Sequence, residues 1–232
     1  MLSIEEPSIA LSATNEQVIS PADKTRRCIA GDQATVLSDI YQDHCNIVVW
    51  QRNLAKELDQ SVAKFLASNS HFQTSMTLSP QDAFTPIHKA LGASGLTAVL
   101  SSNIAELVDM FCCLFDLGQA GLRLTALDKA MCPRFHVDQV PCRLVTTYQG
   151  AATEWLPHNR VNRCKLGHGS EGKPDHRSGL FADANDIRQL SAGDVALLKG
   201  ERWEGNEGAG LVHRSPALLS GERRLLLTLD IS

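Results

Sequence analysis

Much of what would announce a function is missing from this 232-residue chain. No stretch approaches the eighteen or so consecutive apolar residues of a membrane span, so a membrane is not an expected partner. The opening "MLSIEEPSIALSATNEQ" has neither the basic start nor the apolar run of a secretory signal. There is no basic run, and the net charge is −4, which argues against nucleic acid as a partner. The seven cysteines are odd in number and form no CxxC pair; that excludes a simple disulfide scaffold and suits a reducing cytoplasm. No complete GxxxxGK[ST] phosphate loop, GxSxG elbow or HExxH helix occurs, and there are no repeats or low-complexity tracts.

What is present divides into two textures. Residues 1–30 read as an irregular, polar lead-in, and 31–232 as a single domain without a linker. "CNIVVWQR" (Cys45–Arg52) is β-rich. "NLAKELDQSVAKFLAS" places Leu54, Leu58, Val62, Phe65 and Leu66 at helical spacing, with Asn53 or a polar neighbour as its start. "SPQDAFTPIHKALG" reads as a loop and short helix ended near Gly92. In "TAVLSSNIAELVDMFCCLFDLG" the residues Ile104, Leu107, Val108, Phe111, Cys112 and Leu114 or Phe115 form a buried stripe, with Gly118 as a stop signal. The helical layer thus spans about 53–117. From about 121 to 231 the chain changes to short, β-branched or alternating runs between turn residues, the spacing of an antiparallel sandwich or barrel.

One of these runs, "CPRFHVD", puts Arg134, His136 and Asp138 on one strand face and Phe135 and Val137 on the other. An imidazole and a carboxylate aimed the same way suit either a metal ion or a solvated polar face. About one His-x-acid match is expected by chance in this composition, and the chain has one, so the motif alone does not decide. A third ligand can come from a later strand, and "LVHRSP" offers His213. Two His and one carboxylate leave coordination positions open and suit a non-haem Fe(II) centre. Farther on, Arg223 and Arg224 stand at the mouth of the apolar strand "RRLLLTLDI". An arginine facing a barrel interior is costly without an anion, and a dicarboxylate gripped by the guanidinium would be such a partner.

The pattern "FHVD" followed at long range by "LVHRSPALLSGERRLLLTLDI" resembles the Fe(II)/2-oxoglutarate-dependent dioxygenases, over about Gly121–Ile231. "SAGDVALLKG" and "CRLVTTYQG" resemble strands of that superfamily. The run "CPRFHVDQVPCRLVTTYQGAATEWLP" also resembles a bacterial domain family of unknown function. The dioxygenase resemblance implies an α+β fold in which N-terminal helices pack on a C-terminal double-stranded β-helix, a jelly-roll or cupin-like barrel. It implies His136, Asp138 and His213 as iron ligands and catalytic centre. It further implies Arg223 on the distal carboxylate of the cosubstrate 2-oxoglutarate, with Arg224 as the alternative and Tyr148 as a hydrogen-bond donor to the same group. Trp155 would line the substrate side. The substrate would be a small molecule, amino acid or peptide.

Other candidates compete. Cys164, His168 and His176 lie in a long polar segment and could offer a second, softer site for zinc, but at spacings that match no common zinc module, so a solvated loop is the preferred reading. Cys132 and Cys142 flank the His-x-Asp run and read as packing residues. Trp203, in "KGERWEGNEGAG", reads as a lid aromatic or a cap on the barrel. The rival function is a metal-binding or metal-handling protein, for zinc or iron, on the same barrel without oxygenase turnover; a metal-independent binding module is a third reading.

Overall fold

The computed structural model describes residues 25–231. In chain order the elements are β1 (Arg27–Gly31), β2 (Cys45–Trp50), α1 (Lys56–Ser68), β3 (Gln73–Leu78), α2 (Phe84–Ala90), α3 (Gly95–Phe115), β4 (Ala120–Leu127), β5 (Cys142–Gln149), β6 (Glu154–Leu156), α4 (Asp175–Ser178), β7 (Arg188–Gln189), β8 (Val195–Lys199), β9 (Val212–Arg214) and β10 (Arg224–Ile231). They form a mixed α/β fold with a seven-stranded sheet, ordered β1-β2-β8-β5-β10-β4-β3, and a three-stranded sheet, ordered β7-β6-β9. Pairing is antiparallel throughout except for β1 with β2.

The large sheet is two-faced because its strands alternate. On β10, Leu225, Leu227 and Leu229 join Leu144 and Tyr148 of β5 and Leu122 and Leu124 of β4 in one apolar cluster. That cluster also holds Leu58, Val62, Phe65 and Leu66 of α1 and Leu100, Ile104, Leu107, Val108 and Phe111 of α3, so the helices cover this face. α3 begins with a capping box between Ser94 and Thr97 and ends where Asp116 turns left-handed (φ 52°). It is the one helix among the described residues long and apolar enough to cross a membrane by length and composition, and its buried stripe lies in this core. The opposite face of the sheet carries Ile47, Val49, Val145, Ala196 and Leu198, which pack with Leu211 and Trp155 from the small-sheet side.

Several expectations are corrected. The helices do not precede the β-structure: β1, β2 and β3 come from the N-terminal half and form both edges of the large sheet. Part of the lead-in expected over 1–30 is strand β1; residues 1–24 lie outside the described residues. β3 falls inside the expected helical layer. Its polar face, with Gln73, Ser75 and Thr77 exposed, gave no apolar signal, as befits an edge strand. α1 starts at Lys56, three residues after Asn53. The long polar segment is a succession of short helical turns. Its Val161, Leu166, Leu180, Phe181 and Ile187 pack on Phe135, Leu156 and Val212, covering the outer face of the small sheet.

Where β5 meets the start of β10 the backbones nearly touch. Gly150 has φ 89°, and a Cβ there would overlap the Arg223 carbonyl and sit 3.0 Å from Arg224 Cα. Gly150→Ala is expected to destabilise the protein by more than the about 1–2 kcal/mol of the left-handed conformation alone, read as a drop in the urea midpoint.

Candidate metal centre

Prolines 133 and 141 bracket the segment "CPRFHVDQVP" and remove two ladder donors, so it forms no regular strand. The strand expected there is thereby corrected, yet the alternation survives locally: Phe135 is buried in the outer cluster with Val137 against it. The segment is pinned at both ends. Ser215 N donates to the Cys132 carbonyl (2.9 Å), Glu201 N to that of Asp138 (3.0 Å) and Gly200 N to that of Pro141 (2.9 Å). Gly200 is obligatory here, since a Cβ would overlap the Val140 carbonyl and lie 2.6 Å from that of Asp138.

One contact makes the site. His136 and His213 exchange both backbone hydrogen bonds, N–H to carbonyl at 3.0 Å each way, as an isolated antiparallel bridge. Residues paired in that way project side chains to the same side, and their rings lie 4.6 Å apart. His136 Nδ1–H donates to the Arg134 carbonyl (2.9 Å) and His213 Nδ1–H to that of Leu211 (3.2 Å). Those bonds fix the tautomer and leave each Nε2 lone pair facing Asp138. His136 Nε2 is 3.7 Å from Asp138 Oδ1, and His213 Nε2 is 3.4 Å from Oδ2. Burial pushes the His213 pKa down to about 4, against an upward pull from Asp138, so its imidazole is neutral at neutral pH.

His136, Asp138 and His213 are the one group of three or more His, Cys, Asp or Glu side chains close enough for a common ion among the described residues, with ligand atoms within 4.8 Å of one another. Ligands held at about 2.0–2.2 Å from one ion lie roughly 3–3.5 Å apart, close to these distances, so the donor set fits a divalent metal. Arg143 holds the carboxylate: its Nη1 donates to Asp138 Oδ2 (2.8 Å), while Nε and Nη2 grip Asp230 at 2.7 and 2.9 Å.

The centre opens on a cavity of about 560 Å³, mouth included, whose far wall carries Arg224. This guanidinium is 1% exposed. Its Nε and Nη2 donate to Thr147 Oγ1 (3.2 and 3.0 Å), Nη2 also to Thr153 Oγ1 (2.8 Å), and Nη1 to Ser215 Oγ (2.8 Å). All partners are neutral hydroxyls. Burial without a counter-ion lowers its pKa to about 10. Each hydroxyl that accepts from Arg224 keeps a proton to donate, and the buried Thr125 Oγ1 on the same cavity wall has no partner.

The preference for Arg223 is therefore corrected. Arg223 precedes β10, and its Nη1 donates to the Ser70 carbonyl (3.2 Å) beside α1, away from the cavity. Tyr148 is corrected as well. It does share a face with Leu144, but that face is the helix-covered one, and its hydroxyl donates to Asn103 Oδ1 of α3 (3.0 Å). Trp155 sits opposite His213 in the small sheet, packed between the sheets and not among the cavity-lining side chains. Trp203 packs on Tyr41 and Phe115 with Lys199 over its ring, on the helix side. Cys142 is buried, but Cys132 is exposed and lines the cavity. Cys164 and His168 are exposed on the covering segment, as is His176, and form no metal cluster there.

Sequence reading missed Thr147, Thr153, Ser215 and Arg143, although a signal existed. On β10 the odd positions Leu225, Leu227, Leu229 and Ile231 are all apolar, while of the even ones only Leu226 is, beside Arg224, Thr228 and Asp230. That parity assigns Arg224 to the face opposite the apolar core.

A family model described as "Protein of unknown function (DUF1826)" matches residues 31–230. No curated protein matches the sequence. Among solved structures, the chain is similar to a dioxygenase for auxin oxidation from rice, at 11% identity and TM-score 0.47 over 88% of this chain and 82% of that one. It is similar to a Pseudomonas putida prolyl-4-hydroxylase, at 12% identity and TM-score 0.44 over 84% and 96%. It is also similar to a full-length Neurospora crassa protein solved in complex with α-KG, at 12% identity and TM-score 0.45 over 90% and 85%. At these scores the case for function is carried by the site's own residues.

Two outcomes are expected. His213→Ala removes one of three ligands and lowers Fe(II) affinity by more than the about 10–100-fold typical of losing an outer supporting group; competition with a coloured chelator measures it, and wild-type affinity in the variant would sink the ligand assignment. The second concerns acid. His158, half-buried beside Arg163 and Arg26, has its pKa lowered to about 4, by burial first and the two cations next, as His213 has. Both imidazoles take up a proton more readily unfolded, so their contribution is complete above the ordinary value of 6.5 and is lost as pH falls towards 4. Urea midpoints of the metal-free protein should fall across that window, less steeply in His158→Gln.

Proposed function

The chain belongs to the DUF1826 family, and we propose that it is a non-haem Fe(II)/2-oxoglutarate-dependent oxygenase built on a double-stranded β-helix. The observation that carries this reading is the buried, hydroxyl-ringed Arg224, with no counter-ion among the described residues, in the cavity that His136 and His213 line, the two imidazoles that Asp138 joins as a metal-ligand set. A lone metal centre explains the three ligands but not the guanidinium. An anionic cosubstrate explains both, because one end of a ketodicarboxylate reaches the metal and the other neutralises the arginine.

Each residue then has a task. His136, Asp138 and His213 would hold Fe(II) and leave coordination positions free. Arg224 binds the distal carboxylate, and Thr153 and Ser215 turn their hydroxyl protons towards it. Arg143 keeps Asp138 from swinging away from the imidazoles. Ile47, Val49, Val145, Ala196 and Leu198 form a dry floor between the sheets. When bound, iron supplies the oxygen chemistry, coupling decarboxylation of 2-oxoglutarate to succinate with oxidation of a substrate C–H bond. The same ligands accept zinc, but the His- and Cys-bearing segment that motivated a metal-handling function serves here to cover the small sheet.

The test is an anaerobic titration of the Fe(II)-loaded protein with 2-oxoglutarate, followed by visible absorbance. A saturable charge-transfer band is expected. Arg224→Ala should weaken 2-oxoglutarate at least about 30-fold, as befits loss of a buried ionic partner, whereas Arg223→Ala should leave it unchanged. Bound metal with no band at any concentration would remove the cosubstrate and turn the assignment to metal handling.

A further inference from the structure

The walls of the cavity carry four arginines, Arg123, Arg143, Arg214 and Arg224, and no Asp or Glu. Two of these charges are met from behind. Arg143 pairs with Asp138 and Asp230, and Arg214 pairs with Glu154 at 2.6 Å and Asp175 at 3.5 Å. The third, Arg224, is taken by the cosubstrate on the reading above. Arg123 remains. It is exposed, and no hydrogen bond or ion pair holds it among the described residues.

Its position singles it out. Arg123 sits on β4 opposite Thr228 of β10 on one side and Ser75 of β3 on the other. It lines both the cavity and an adjoining open shelf over β3 and β4, where Ser75, Thr77 and Gly121 leave room and hydroxyls. Asp230 also borders the shelf, but Arg143 already holds both of its oxygens. Two residues along the same β4 face, Thr125 Oγ1 is buried and unpartnered. β4 and β5 flank β10, and Arg123 is level with Val145 of β5 across Thr228, so Arg143, two residues farther along β5, stands roughly 12 Å from it across the sheet. A group held at Arg123 therefore lies within the length of a small molecule from the metal ligands.

We propose that Arg123 is an oxyanion-binding residue at the cavity mouth, and that the substrate is a small molecule carrying a carboxylate or phosphate. The group docks on Arg123 at the edge of the shelf, and the rest of the molecule reaches inward over Thr228 towards the metal centre. Cationic substrates are repelled by the same wall. The substrate part of this inference rests on the oxygenase reading; the oxyanion site does not.

The test follows arginine Nε–H signals by NMR in the full chain loaded with Zn(II), a diamagnetic stand-in for iron, and saturated with 2-oxoglutarate. Sodium acetate and inorganic phosphate are titrated separately, against sodium chloride at matched ionic strength. The Arg123 signal, assigned by its absence in Arg123→Gln, should shift saturably with at least one oxyanion, and the Thr125 amide should move with it. In Arg123→Gln the Thr125 response should be lost. A response to acetate alone points to carboxylates, to phosphate alone to phosphoryl compounds. An Arg123 signal that does not move, or follows chloride equally, overturns the proposal. The Arg224 signal is read in the same spectra before and after 2-oxoglutarate. If it ignores 2-oxoglutarate while Arg123 answers the simple oxyanion, the cosubstrate assignment falls and the oxyanion site stands.

Discussion

The functional architecture hangs on two backbone hydrogen bonds, those exchanged between His136 and His213. They form the only regular pairing made by the proline-bracketed ligand segment among the described residues. The segment's other anchors, such as the Phe135 N–H bond to Asp175 Oδ2 (2.9 Å), hold it to the covering segment and the large sheet, while these two bonds set its ring beside that of His213. Antiparallel pairing gives the rings a common direction, and the two Nδ1–H bonds to carbonyls orient them. The third ligand needs side-chain help, which Arg143 supplies from the large sheet. The centre thus spans the two sheets: its imidazoles belong to the small one, while its carboxylate is braced by the large one.

The large sheet divides labour by parity. One face is a leucine-rich seat for α1 and α3; the other is apolar over β2 and β8 and turns polar towards β10 and β4, where it holds the guanidinium of Arg224. That asymmetry has an energetic meaning. Leu225, Leu227 and Leu229 each bury a side chain worth about 1.5–3 kcal/mol, and this surplus tolerates Arg224, whose burial against neutral hydroxyls opposes folding. The same strand therefore stabilises the fold and holds its least comfortable residue. An anion bound there would relieve that discomfort and so link ligand binding to stability through a single side chain.

The sequence carried a good part of this. The helical stripe of α3 and the runs that became β2, β4, β5 and β8 to β10 were legible from spacing, and the long-range trio His136, Asp138 and His213 from the resemblance to the dioxygenases. Three things were not, each for a physical reason. β1 and β3 are edge strands: "RCIAG" is only five residues long and ends in Gly31, and "QTSMTL" exposes Gln73, Ser75 and Thr77, so neither stands out from loop. The choice between Arg223 and Arg224 needed the register of β10, which its own alternation of leucine with Thr228 and Asp230 encodes and the arginine pair alone does not. Tyr148 was placed on the correct face of its strand, but which face looks at helices and which at the cavity is a tertiary fact. Polar composition also misled: the segment after Pro157 looks like a free loop because its few apolar residues, Val161, Leu166, Leu180 and Phe181, are widely spaced and become a lid only when folded onto Phe135 and Val212.

The strand order has a consequence for how such a chain is made. β10 lies between β5 and β4, so it alone joins the four strands β1, β2, β8 and β5 to the pair β4 and β3. Among the described residues it also follows every other strand in chain order. During synthesis the two halves of the sheet must wait with unsatisfied edges facing each other until β10 emerges and closes the gap. The nascent protein therefore passes through a stage in which most of its strands exist but its cavity has no back wall. The cavity is closed in one step, together with the completion of the core.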